Sequence, residues 1–529
     1  MEDQSNPLLD PQQSKILAEA ITFDDVLLLP RRSSVMPAQA DLTTRLTGTI
    51  GLRIPLISAP MDTVTESRVA IALAQEGGIG IIHRNMPPPA QAIEVQKVKR
   101  SENGVITDPV TLGPGDSVGH ARRLMADYNI SGFPVVEDGN SEATGGALRK
   151  KSRVLGIITA RDLKFIDSNA TPVKDVMTAK NLVTAPPDTT LEEAVRVLSR
   201  AKVKKLLLVD AKGNLDGLIT MRDLDQMSRF PNACKDERGR LRCGAAVGVF
   251  QYERAEALIE AEADFLVVDT SHGHSENVLN TVKELKKRFK IEVIAGNVAT
   301  AEATRDLIEV GADGVKAGIG PGSICTTRVV TGVGVPQITA VMNAVSASER
   351  HFKKTGKFVS VIADGGIRQS GDIAKAIAAG ASAVMMGGLF AGLDESPGEI
   401  VISEGRRYKS YRGMGSEGAM FAGSADRYQQ HDKVAGARKS GGDDLARIKF
   451  VPEGVEGLVP YRGGLSEFVY QMVGGLRASM GYCGCMTIEE MRRDTRFVKV
   501  SRAGVVESHP HDIRITKESP NYTSDFGHG

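Results

Sequence analysis

Eight short apolar runs recur along the chain, and segments with helical spacing of apolar positions, such as Ala255–Ala263 and Ser275–Phe289, lie between most of them. The runs are Leu56–Met61, Gly78–His83, Ala245–Phe250, Phe265–Asp269, Glu292–Asn297, Gly314–Ile319, Val359–Gly365 and Ala383–Gly388. Alternating strands and helices predict a parallel α/β fold, and eight such units predict a closed (β/α)8 (TIM) barrel. An open doubly wound sheet is the alternative, which the lack of a Gly-x-Gly-x-x-Gly turn after the first run disfavours.

The second and third runs are separated by more than 150 residues, which is too many for an ordinary loop. Within this gap, Thr159-Ala-Arg-Asp recurs about sixty residues later as Thr220-Met-Arg-Asp, each time after a short apolar run. Two β-α-β-β-α units of that size would pack as a pair, because neither alone buries much apolar surface. We therefore predict that 1–104 begins the barrel, that 105–227 is an inserted domain, and that 228–529 completes the barrel.

The repeated motif resembles the tandem cystathionine-β-synthase-type (CBS) pair, also called a Bateman module. The resemblance implies a regulatory site for purine nucleotides of the ATP or GTP type, with aspartates on ribose hydroxyls and arginines near phosphates. Its residues would be Thr159, Arg161, Asp162, Thr220, Arg222 and Asp223. The alternative is a pair of helix N-caps with salt-bridged arginines.

One cysteine lies in a glycine-rich loop directly after the sixth run, within Gly318-Ile-Gly-Pro-Gly-Ser-Ile-Cys-Thr-Thr-Arg. The hydroxyls of Ser323, Thr326 and Thr327 surround Cys325 in the sequence. Because a thiolate is a strong nucleophile at neutral pH, this pattern predicts a catalytic cysteine. The alternative is a buried structural thiol in a tight turn.

The ends of the last two runs carry a second pattern. Asp364-Gly-Gly closes the seventh run and Gly387-Gly closes the eighth. In a barrel, the loops after strands seven and eight commonly bind phosphate through backbone N–H groups, and an aspartate beside them can accept both hydroxyls of a ribose. We therefore predict a nucleoside monophosphate with its base toward Cys325. Glycines that serve helix packing and an N-capping Asp364 are the alternative.

Asp269 ends the fourth run in Val-Val-Asp-Thr-Ser-His-Gly-His, where its carboxylate suits a second ribose, as in a nicotinamide nucleotide. His272 and His274 lack a clear third ligand, and Cys483-Gly-Cys485 lacks a second pair, so neither predicts a metal site. Beyond Gly388, a long segment of little periodicity predicts a lid, about 394–463, over the barrel mouth.

Composition limits the function classes. The formal net charge is +1, so no overall field attracts nucleic acid or acidic lipid. Five cysteines are too sparse and too few for a disulfide framework, and neither an apolar leader nor a membrane-length apolar run is present. We expect a cytoplasmic enzyme that needs neither membrane nor nucleic acid.

The chain contains six further motifs besides the Cys325 loop. They are Phe23-Asp-Asp-Val-Leu-Leu, Pro60-Met-Asp-Thr-Val, His83-Arg-Asn-Met, Ala363-Asp-Gly-Gly-Ile, Tyr411-Arg-Gly-Met-Gly-Ser and Arg427-Tyr. With these motifs the chain resembles the inosine-5′-monophosphate (IMP) dehydrogenase family over essentially its whole length. Glu453 and Glu507-Ser-His resemble the bacterial branch. The resemblance implies the same barrel with an inserted CBS pair.

The resemblance also implies the reaction, which is the oxidation of IMP to xanthosine 5′-monophosphate (XMP) with NAD, the committed step of guanine nucleotide synthesis. Cys325 adds to C2 of the base, hydride leaves for NAD, and a covalent thioimidate remains. The lid then brings Arg427 and Tyr428 into the vacated space, and water hydrolyses the adduct. Arg427 would act as the base, Thr327 would orient the water, and Glu453 would offer a second route.

The same resemblance implies the binding residues. Substrate would contact Met61, Ser323, Asp364, Gly365, Gly366, Gly387, Gly388, Tyr411, Gly413, Met414, Gly415 and Glu453. NAD would contact Asp269, Thr270, Ser271, Asn297, Gly318 and Gly320. A potassium ion would take carbonyls of Gly320, Gly322 and Cys325, together with Glu507, Ser508 and His509 of a neighbouring subunit. This implies a homotetramer and leaves the pairing of tetramers into octamers open.

Two other functions compete with this interpretation. Guanosine-5′-monophosphate (GMP) reductase shares the barrel and the cysteine loop, but the long insert and Arg427-Tyr428 disfavour it. A non-catalytic nucleotide-sensing scaffold is the other, and the intact set of Cys325, Thr327 and Arg427 disfavours that.

Overall fold

Eight parallel strands close into a barrel in the computed structural model, which describes residues 16–17, 19–101, 106, 109–128, 130–137, 152–221, 229–428, 430, 451–517 and 519–522. The strands are β1 (Leu56–Ser58), β2 (Ile79–Ile82), β3 (Cys243–Val247), β4 (Phe265–Asp269), β5 (Glu292–Val298), β6 (Gly314–Ala317), β7 (Ser360–Asp364) and β8 (Ala383–Met386). β2 pairs with β3 although the insert separates them in sequence, and β8 pairs with β1. The predicted closed barrel is confirmed.

Each of the eight predicted runs contains one barrel strand, because parallel strands covered on both faces are apolar almost throughout. Six of the eight strands end one to three residues before their runs do, because the last residues of those runs already belong to the loops. β4 ends with its run at Asp269, and β5 extends one residue beyond Asn297. β3 differs: it begins at Cys243, two residues before the predicted run.

Helices surround the barrel. They are α1 (Ser67–Gln75), α2 (Pro88–Ser101), Tyr252–Glu260, Glu276–Arg288, Ala301–Glu309, Gln337–Thr355, Ser370–Ala378 and Leu465–Cys483. Local capping sets some of their starts: the Thr300 hydroxyl accepts the N–H of Ala303 at 3.2 Å and begins Ala301–Glu309. Leu465–Cys483 packs against both α1 and Ser370–Ala378 and so completes the ring of helices.

The insert forms two units, each with its own apolar cluster. The first contains Val118–Tyr128, Gly132–Val136, Val154–Thr159 and Ala160–Leu163, and the second contains Thr184–Ala185, Leu191–Ala201, Lys205–Val209 and Leu215–Thr220. Ile106 and Leu218 exchange backbone hydrogen bonds of 2.8 and 2.9 Å, so the chain enters and leaves the insert side by side. This is the arrangement expected of a paired repeat attached to the barrel at one place.

The segment predicted as a lid without regular structure contains a sheet. Ile400–Ser403, Arg406–Arg412 and Glu456–Pro460 form three antiparallel strands. The prediction missed them because the first and third strands are short and partly exposed, because the second carries four cationic residues, and because the third lies more than forty residues beyond the second.

The remaining elements are short. Val26–Leu28 pairs with Phe497–Lys499, and Thr44–Arg45 pairs with Gly51–Leu52. Short helices are Thr327–Thr331, Gly388–Ala391, Glu417–Ala422, Ile488–Asp494 and Arg502–Glu507, and 3₁₀ turns are Phe23–Asp25, Pro37–Gln39, Val173–Asp175 and Ser424–Tyr428. Among all the helices in the described ranges, none combines the length and apolarity needed to cross a membrane.

Candidate active site

Cys325 is the first member of a short polar chain at the carboxyl end of the barrel. Its Sγ lies 3.2 Å from Oγ1 of Thr327, and that hydroxyl donates to Oε2 of Glu453 at 2.8 Å. The N–H of Thr326 also donates to the backbone carbonyl of Glu453 at 3.0 Å. A thiol, a hydroxyl and a carboxylate in this order provide a nucleophile and a route by which a proton can leave it.

Backbone hydrogen bonds hold three distant segments around the cysteine. Val455 donates to Ile324 at 3.0 Å, Gly413 donates to Val455 at 2.9 Å, and Glu453 donates to Gly415 at 3.0 Å. The main chain around Met414 therefore lies beside the cysteine loop, where the edge of a ligand base can meet it. The structure thus brings Gly413, Met414, Gly415 and Glu453, which the sequence analysis assigned to the substrate, together with Cys325.

A narrow cup lies next to the cysteine loop. A Cβ added at Gly387 would lie 2.8 Å from Oη of Tyr411 and 3.1 Å from Sδ of Met61. A Cβ added at Gly388 would lie 3.4 Å from Oγ of Ser323. Burial raises the pKa of Tyr411, with a smaller contribution from the charge of Asp364, so its phenol keeps its proton and can donate to an anion. The cup has the hydroxyls and the glycine backbone that a phosphate group requires.

The turn after β7 adjoins this cup. Gly365 and Gly366 have φ values of +86° and +80°, which favour glycine, and a Cβ on either would crowd Pro321 of the cysteine loop. The ring of Phe23 packs against Gly366 on the other side. The Asp364-Gly-Gly turn is therefore held directly beneath the loop that carries Cys325.

A fully buried lysine joins the two aspartates that the sequence singled out. Nζ of Lys316, in β6, lies 2.7 Å from Oδ1 of Asp269 and 3.1 Å from Oδ2 of Asp364. Nδ2 of Asn297 also donates to Oδ2 of Asp364, at 2.9 Å. Sequence reasoning missed Lys316 as a site residue, although a lysine inside an apolar strand was a signal, because lysine is almost never fully buried unless it is paired.

Arg427 reaches this network from the segment after the sheet. Its guanidinium forms an ion pair with Asp269, and its backbone carbonyl accepts hydrogen bonds from Ser271 N–H at 3.3 Å and Ser271 Oγ at 2.9 Å. Burial lowers the pKa of Arg427 to about 10, and the charge of Arg84 acts in the same direction, while Tyr428 opposes both. Burial therefore makes the guanidinium easier to deprotonate, whereas its ion pair with Asp269 favours the charged form.

Tyr428 fills the space between Arg427 and the cysteine loop. A Cβ added at Gly415 would lie 2.9 Å from Oη of Tyr428. Burial raises the pKa of Tyr428 to about 12, so the hydroxyl remains protonated. The Arg427-Tyr428 pair is therefore docked against both halves of the site.

Arg84 anchors the docked segment and was not predicted. Its Nη1 donates to both carboxylate oxygens of Asp426 at 2.8 Å, and its Nη2 donates to the carbonyl of Asp269 at 3.4 Å. Gln251 adds a hydrogen bond of 3.3 Å to Asp426. Only the three-dimensional fold brings Arg84, after β2, to the residue that precedes Arg427.

The residues predicted for NAD lie at the ends of β4, β5 and β6. Thr270 donates its hydroxyl to Gly296 O at 2.8 Å, and Asn297 donates to Gly318 O at 2.8 Å. Gly320 has a φ of +74° and packs against Arg328, which fixes the loop by donating to Ile319 O and Val335 O. Hydrogen bonds therefore join the ends of these three strands beside Asp269.

The predicted cation residues lie in two places. Gly320, Gly322 and Cys325 belong to the cysteine loop, where Cys325 N–H donates to Gly322 O at 3.1 Å. Glu507 ends the helix Arg502–Glu507, and Ser508 and His509 follow it. For other metals, no cluster of three or more His, Cys, Asp or Glu side chains suited to binding one occurs in the described parts of the chain, and His274 pairs with Asp306 at 2.9 Å.

The residues predicted for regulatory nucleotides divide into three groups. Asp162 accepts hydrogen bonds from the N–H and the hydroxyl of Thr159 at 2.7 and 2.8 Å, which is the N-cap alternative. Arg161 follows on the exposed side of the same short helix, and Thr220 is buried and lines a cavity beside the barrel. Arg222 and Asp223 lie outside the described residues.

Comparison with known proteins decides the family. The model of the IMP dehydrogenase / GMP reductase domain matches residues 20–511. The chain belongs to this family. Within the IMP dehydrogenase / GMP reductase family, an inosine-5′-monophosphate dehydrogenase of Rhodopirellula baltica is 56% identical over 511 residues, which are 96% of this chain and 89% of that protein. One of Halalkalibacterium halodurans is 52% identical over 97% of this chain and 99% of its own.

A solved structure in the same family belongs to a GMP reductase of Trypanosoma brucei in complex with guanosine 5′-monophosphate. It is 39% identical, has a TM-score of 0.80, and covers 94% of this chain and 98% of its own. An alignment of that extent necessarily includes most of the insert. The insert therefore does not distinguish dehydrogenases from reductases in this family. The argument from the long insert against a GMP reductase was wrong.

The buried lysine gives the first testable prediction. In Lys316→Met, Asp364 loses its ion pair and Asp269 keeps only Arg427, and removing one partner of a buried pair typically costs about 3–5 kcal/mol. We expect calorimetry of the full chain to give a thermal midpoint several degrees lower. The matched variant Lys287→Met, at a lysine that is 78% exposed, should leave the midpoint unchanged. Equal midpoints for Lys316→Met and the parent would contradict the role assigned to Lys316.

Proposed function

We propose that the chain oxidises IMP to XMP and passes hydride to NAD. The observation that carries this proposal is the chain from Cys325 through Thr327 to Glu453, placed beside the glycine cup and beneath the docked Arg427. Membership of the family and relatives of 52–56% identity named inosine-5′-monophosphate dehydrogenase support it.

The substrate fits the site from phosphate to base. Its phosphate would occupy the cup of Ser323, Gly387, Gly388 and Tyr411, next to Met61 and the N–H groups of Gly365 and Gly366. The ribose would meet Asp364, whose second oxygen Lys316 and Asn297 already hold. Main-chain groups of Gly413, Met414 and Gly415 would bind the base and place its C2 at Cys325.

Cys325 would act as the nucleophile in the first half of the reaction. Its sulfur bonds to C2, hydride leaves C2, and a thioimidate remains on the enzyme. Bound NAD supplies the hydride acceptor, and Asp269, Thr270, Ser271, Asn297, Gly318 and Gly320 form the surface suited to hold it. The thiol proton can pass through Thr327 to Glu453.

The second half of the reaction would use the docked segment. Arg427 forms an ion pair with the same Asp269 that would bind the cofactor ribose, so reduced cofactor has to leave before Arg427 docks. Arg427, with its lowered pKa, would then take a proton from water, Thr327 would orient that water, and Glu453 would offer a second acceptor. Attack at C2 breaks the carbon–sulfur bond and releases XMP.

Potassium and the assembly complete the proposal. Carbonyls of Gly320, Gly322 and Cys325 are neutral oxygen donors, and such donors suit a large, weakly hydrated cation. Glu507, Ser508 and His509 of a neighbouring copy would add three more, which makes a homotetramer part of the site.

The division of the chain follows the fold. Residues 1–104 and 228–529 would form the catalytic barrel, with 394–463 as its lid, and 105–227 would be the regulatory CBS pair that binds purine nucleotides. All five cysteines are free thiols, which suits a reducing compartment and a cytoplasmic enzyme.

The direct test combines an assay with a nucleophile variant. Purified protein with IMP, NAD and potassium should produce reduced nicotinamide absorbance and XMP, and Cys325→Ala should abolish both while retaining IMP binding. Cys234→Ala should keep full activity, because burial raises the pKa of Cys234 to about 12 and leaves it an inert thiol. Turnover by Cys325→Ala would contradict the mechanism. Reaction only of GMP with reduced NADP would replace the dehydrogenase with a reductase.

The anchor of the docked segment predicts a separation of the two half-reactions. Arg84→Met removes two charge-assisted hydrogen bonds to Asp426, so docking of Arg427 weakens while the Cys325 loop is untouched. We expect a normal burst of reduced cofactor, hydrolysis slowed about tenfold or more, and a covalent adduct on Cys325 visible by mass spectrometry. Arg123→Met, at an exposed arginine of the insert, serves as the control. Equal slowing of both steps would contradict the anchoring role.

The cation gives a further test. Replacing potassium by sodium should lower the turnover rate, because the smaller, more strongly hydrated ion fits a carbonyl cage poorly. Titration of each ion at saturating IMP and NAD measures the effect, and choline chloride controls for ionic strength. Equal rates in all three salts would exclude a specific potassium site.

A further inference from the structure

Asp426, the residue before Arg427, places its carboxylate in a polar pocket formed by Arg84, Gly248 and Gln251, which we call the anion pocket. Nη1 of Arg84 donates to both carboxylate oxygens at 2.8 Å, and Nε2 of Gln251 donates to Oδ2 at 3.3 Å. A Cβ added at Gly248 would lie 2.7 Å from Oδ2, so the carboxylate rests against the backbone that follows β3. A guanidinium, an amide and a glycine backbone bind phosphate as well as carboxylate.

The anion pocket contains more positive charge than Asp426 can neutralise. A second arginine, Arg254, donates to neutral oxygens, those of Met86 O at 3.1 Å and Gln91 Oε1 at 2.6 Å. Burial lowers the pKa of Arg254 to about 10, the charge of Arg84 acts in the same direction, and the charge of Asp426 opposes both. Nε of Arg84 and Nε of Arg254 are buried and have no hydrogen-bond partner among the described residues. The anion pocket therefore suits a ligand with more negative charge than one carboxylate.

The anion pocket adjoins Asp269, to which the proposed function assigns the cofactor ribose. Nη2 of Arg84 donates to the backbone carbonyl of Asp269 at 3.4 Å. The docked segment therefore meets two neighbouring points at once: the Asp426 carboxylate lies on Arg84, and the Arg427 guanidinium pairs with the Asp269 carboxylate. A nicotinamide ribose carries its phosphate one methylene group away. A cofactor whose ribose binds Asp269 thus brings negative charge to the same two points.

We propose that the anion pocket binds the pyrophosphate of NAD before the segment docks, and that Asp426 replaces this phosphate on Arg84 when Arg427 replaces the ribose on Asp269. The inference rests on the proposed function, because it takes NAD as the cofactor. It adds Arg84 to the residues that bind NAD, with Arg254 supplying further positive charge. The docked segment then imitates the cofactor at two points, with a carboxylate in place of the phosphate and a guanidinium in place of the ribose hydroxyls.

Charge balance gives this exchange its physical basis. The side chain of Arg84 is 8% exposed, and a guanidinium buried to this extent requires an anion beside it. If Asp426 left and no anion took its place, Arg84 and Arg254 would repel each other with no carboxylate in the anion pocket. The cofactor phosphate would remove this cost during hydride transfer, and Asp426 removes it when the segment is docked. Release of reduced cofactor and docking of the segment are therefore two halves of one exchange.

Calorimetric titration with NAD tests the proposal by the sign of two effects. The full chain carries Cys325→Ala and is saturated with IMP, so that NAD binds without turnover. Adding Arg84→Met removes the cation of the anion pocket and should weaken NAD binding about tenfold or more. Adding Asp426→Asn removes the competing charge and should tighten NAD binding. If Arg84 served only as an anchor for Asp426, both changes would free the segment and both would tighten NAD binding.

Ligands with and without phosphate give the second measurement. Nicotinamide riboside, which lacks phosphate, should bind Arg84→Met as it binds the Cys325→Ala chain, whereas nicotinamide mononucleotide should show a loss like that of NAD. Arg84→Lys, which keeps a positive charge, should lose less affinity than Arg84→Met. Lys287→Met, at an exposed lysine of the barrel, should bind all three ligands unchanged. Because the effect falls on affinity, the burst of reduced cofactor expected above for Arg84→Met remains at saturating NAD.

Two outcomes would overturn the proposal. In the first, Arg84→Met tightens NAD binding or leaves it unchanged, which would make Arg84 an anchor alone. In the second, Arg84→Met weakens binding of the riboside as much as that of NAD, which would assign the loss to a disturbed Asp269. Binding of IMP by each variant shows that it is folded, and Arg84→Gln replaces Arg84→Met if the latter does not bind IMP. Failure of the Cys325→Ala chain to bind NAD at all would instead refute the proposed function, and the first titration shows it separately.

Discussion

The ion pairs of Lys316 are the constraint on which the active site depends. A lysine with no exposed surface is stable only if its charge is matched, and here the match comes from carboxylates on two other strands. The pairs fix Asp269 and Asp364 relative to each other, and Asn297 fixes the orientation of Asp364 further. In the function proposed above, Asp364 would bind the substrate ribose and Asp269 the cofactor ribose. A single buried cation would then set the distance between the two ligands that react with each other.

The ion pairs of Asp269 explain how one carboxylate could serve both hydride transfer and hydrolysis in the proposed reaction. Asp269 has one oxygen on Lys316 and the other on Arg427. A dinucleotide ribose and the Arg427 guanidinium would compete for that second oxygen, and neither would disturb the first. Alternation between them then needs no rearrangement of the barrel. It needs only that the segment carrying Arg427 can dock and undock. Arg84, whose Nη1 lies 2.8 Å from Asp426, stabilises the docked position without touching the reacting groups.

The sequence predicted the barrel because its physical signal is local: parallel strands covered on both faces read as apolar runs, and the residues that end them fall at one edge. For the same reason Cys325, Asp364 and Gly387 could be assigned to one site. Lys316 and Arg84 could not be assigned as readily, since their roles depend on pairing between strands. Asp162 shows a different limit of sequence analysis, because one motif can serve two purposes. A carboxylate three residues after Thr159 can bind a ribose or complete a capping box, and in the structure Asp162 accepts the hydrogen bonds of the capping box.

The attachment of the insert constrains how it can act on the barrel. Its entry and exit run side by side through Ile106 and Leu218, so the chain connection itself leaves the insert free to adopt several positions against the barrel. A ligand that touched only the insert would bind equally well in every one of these positions, and equal affinity shifts no equilibrium. A ligand that also touched the barrel would bind best in the one position that presents both surfaces, so coupling requires a contact on the barrel side. Such coupling is reciprocal: a docked segment that fixes α2 from the Arg84 end would alter the affinity of the insert for its ligand.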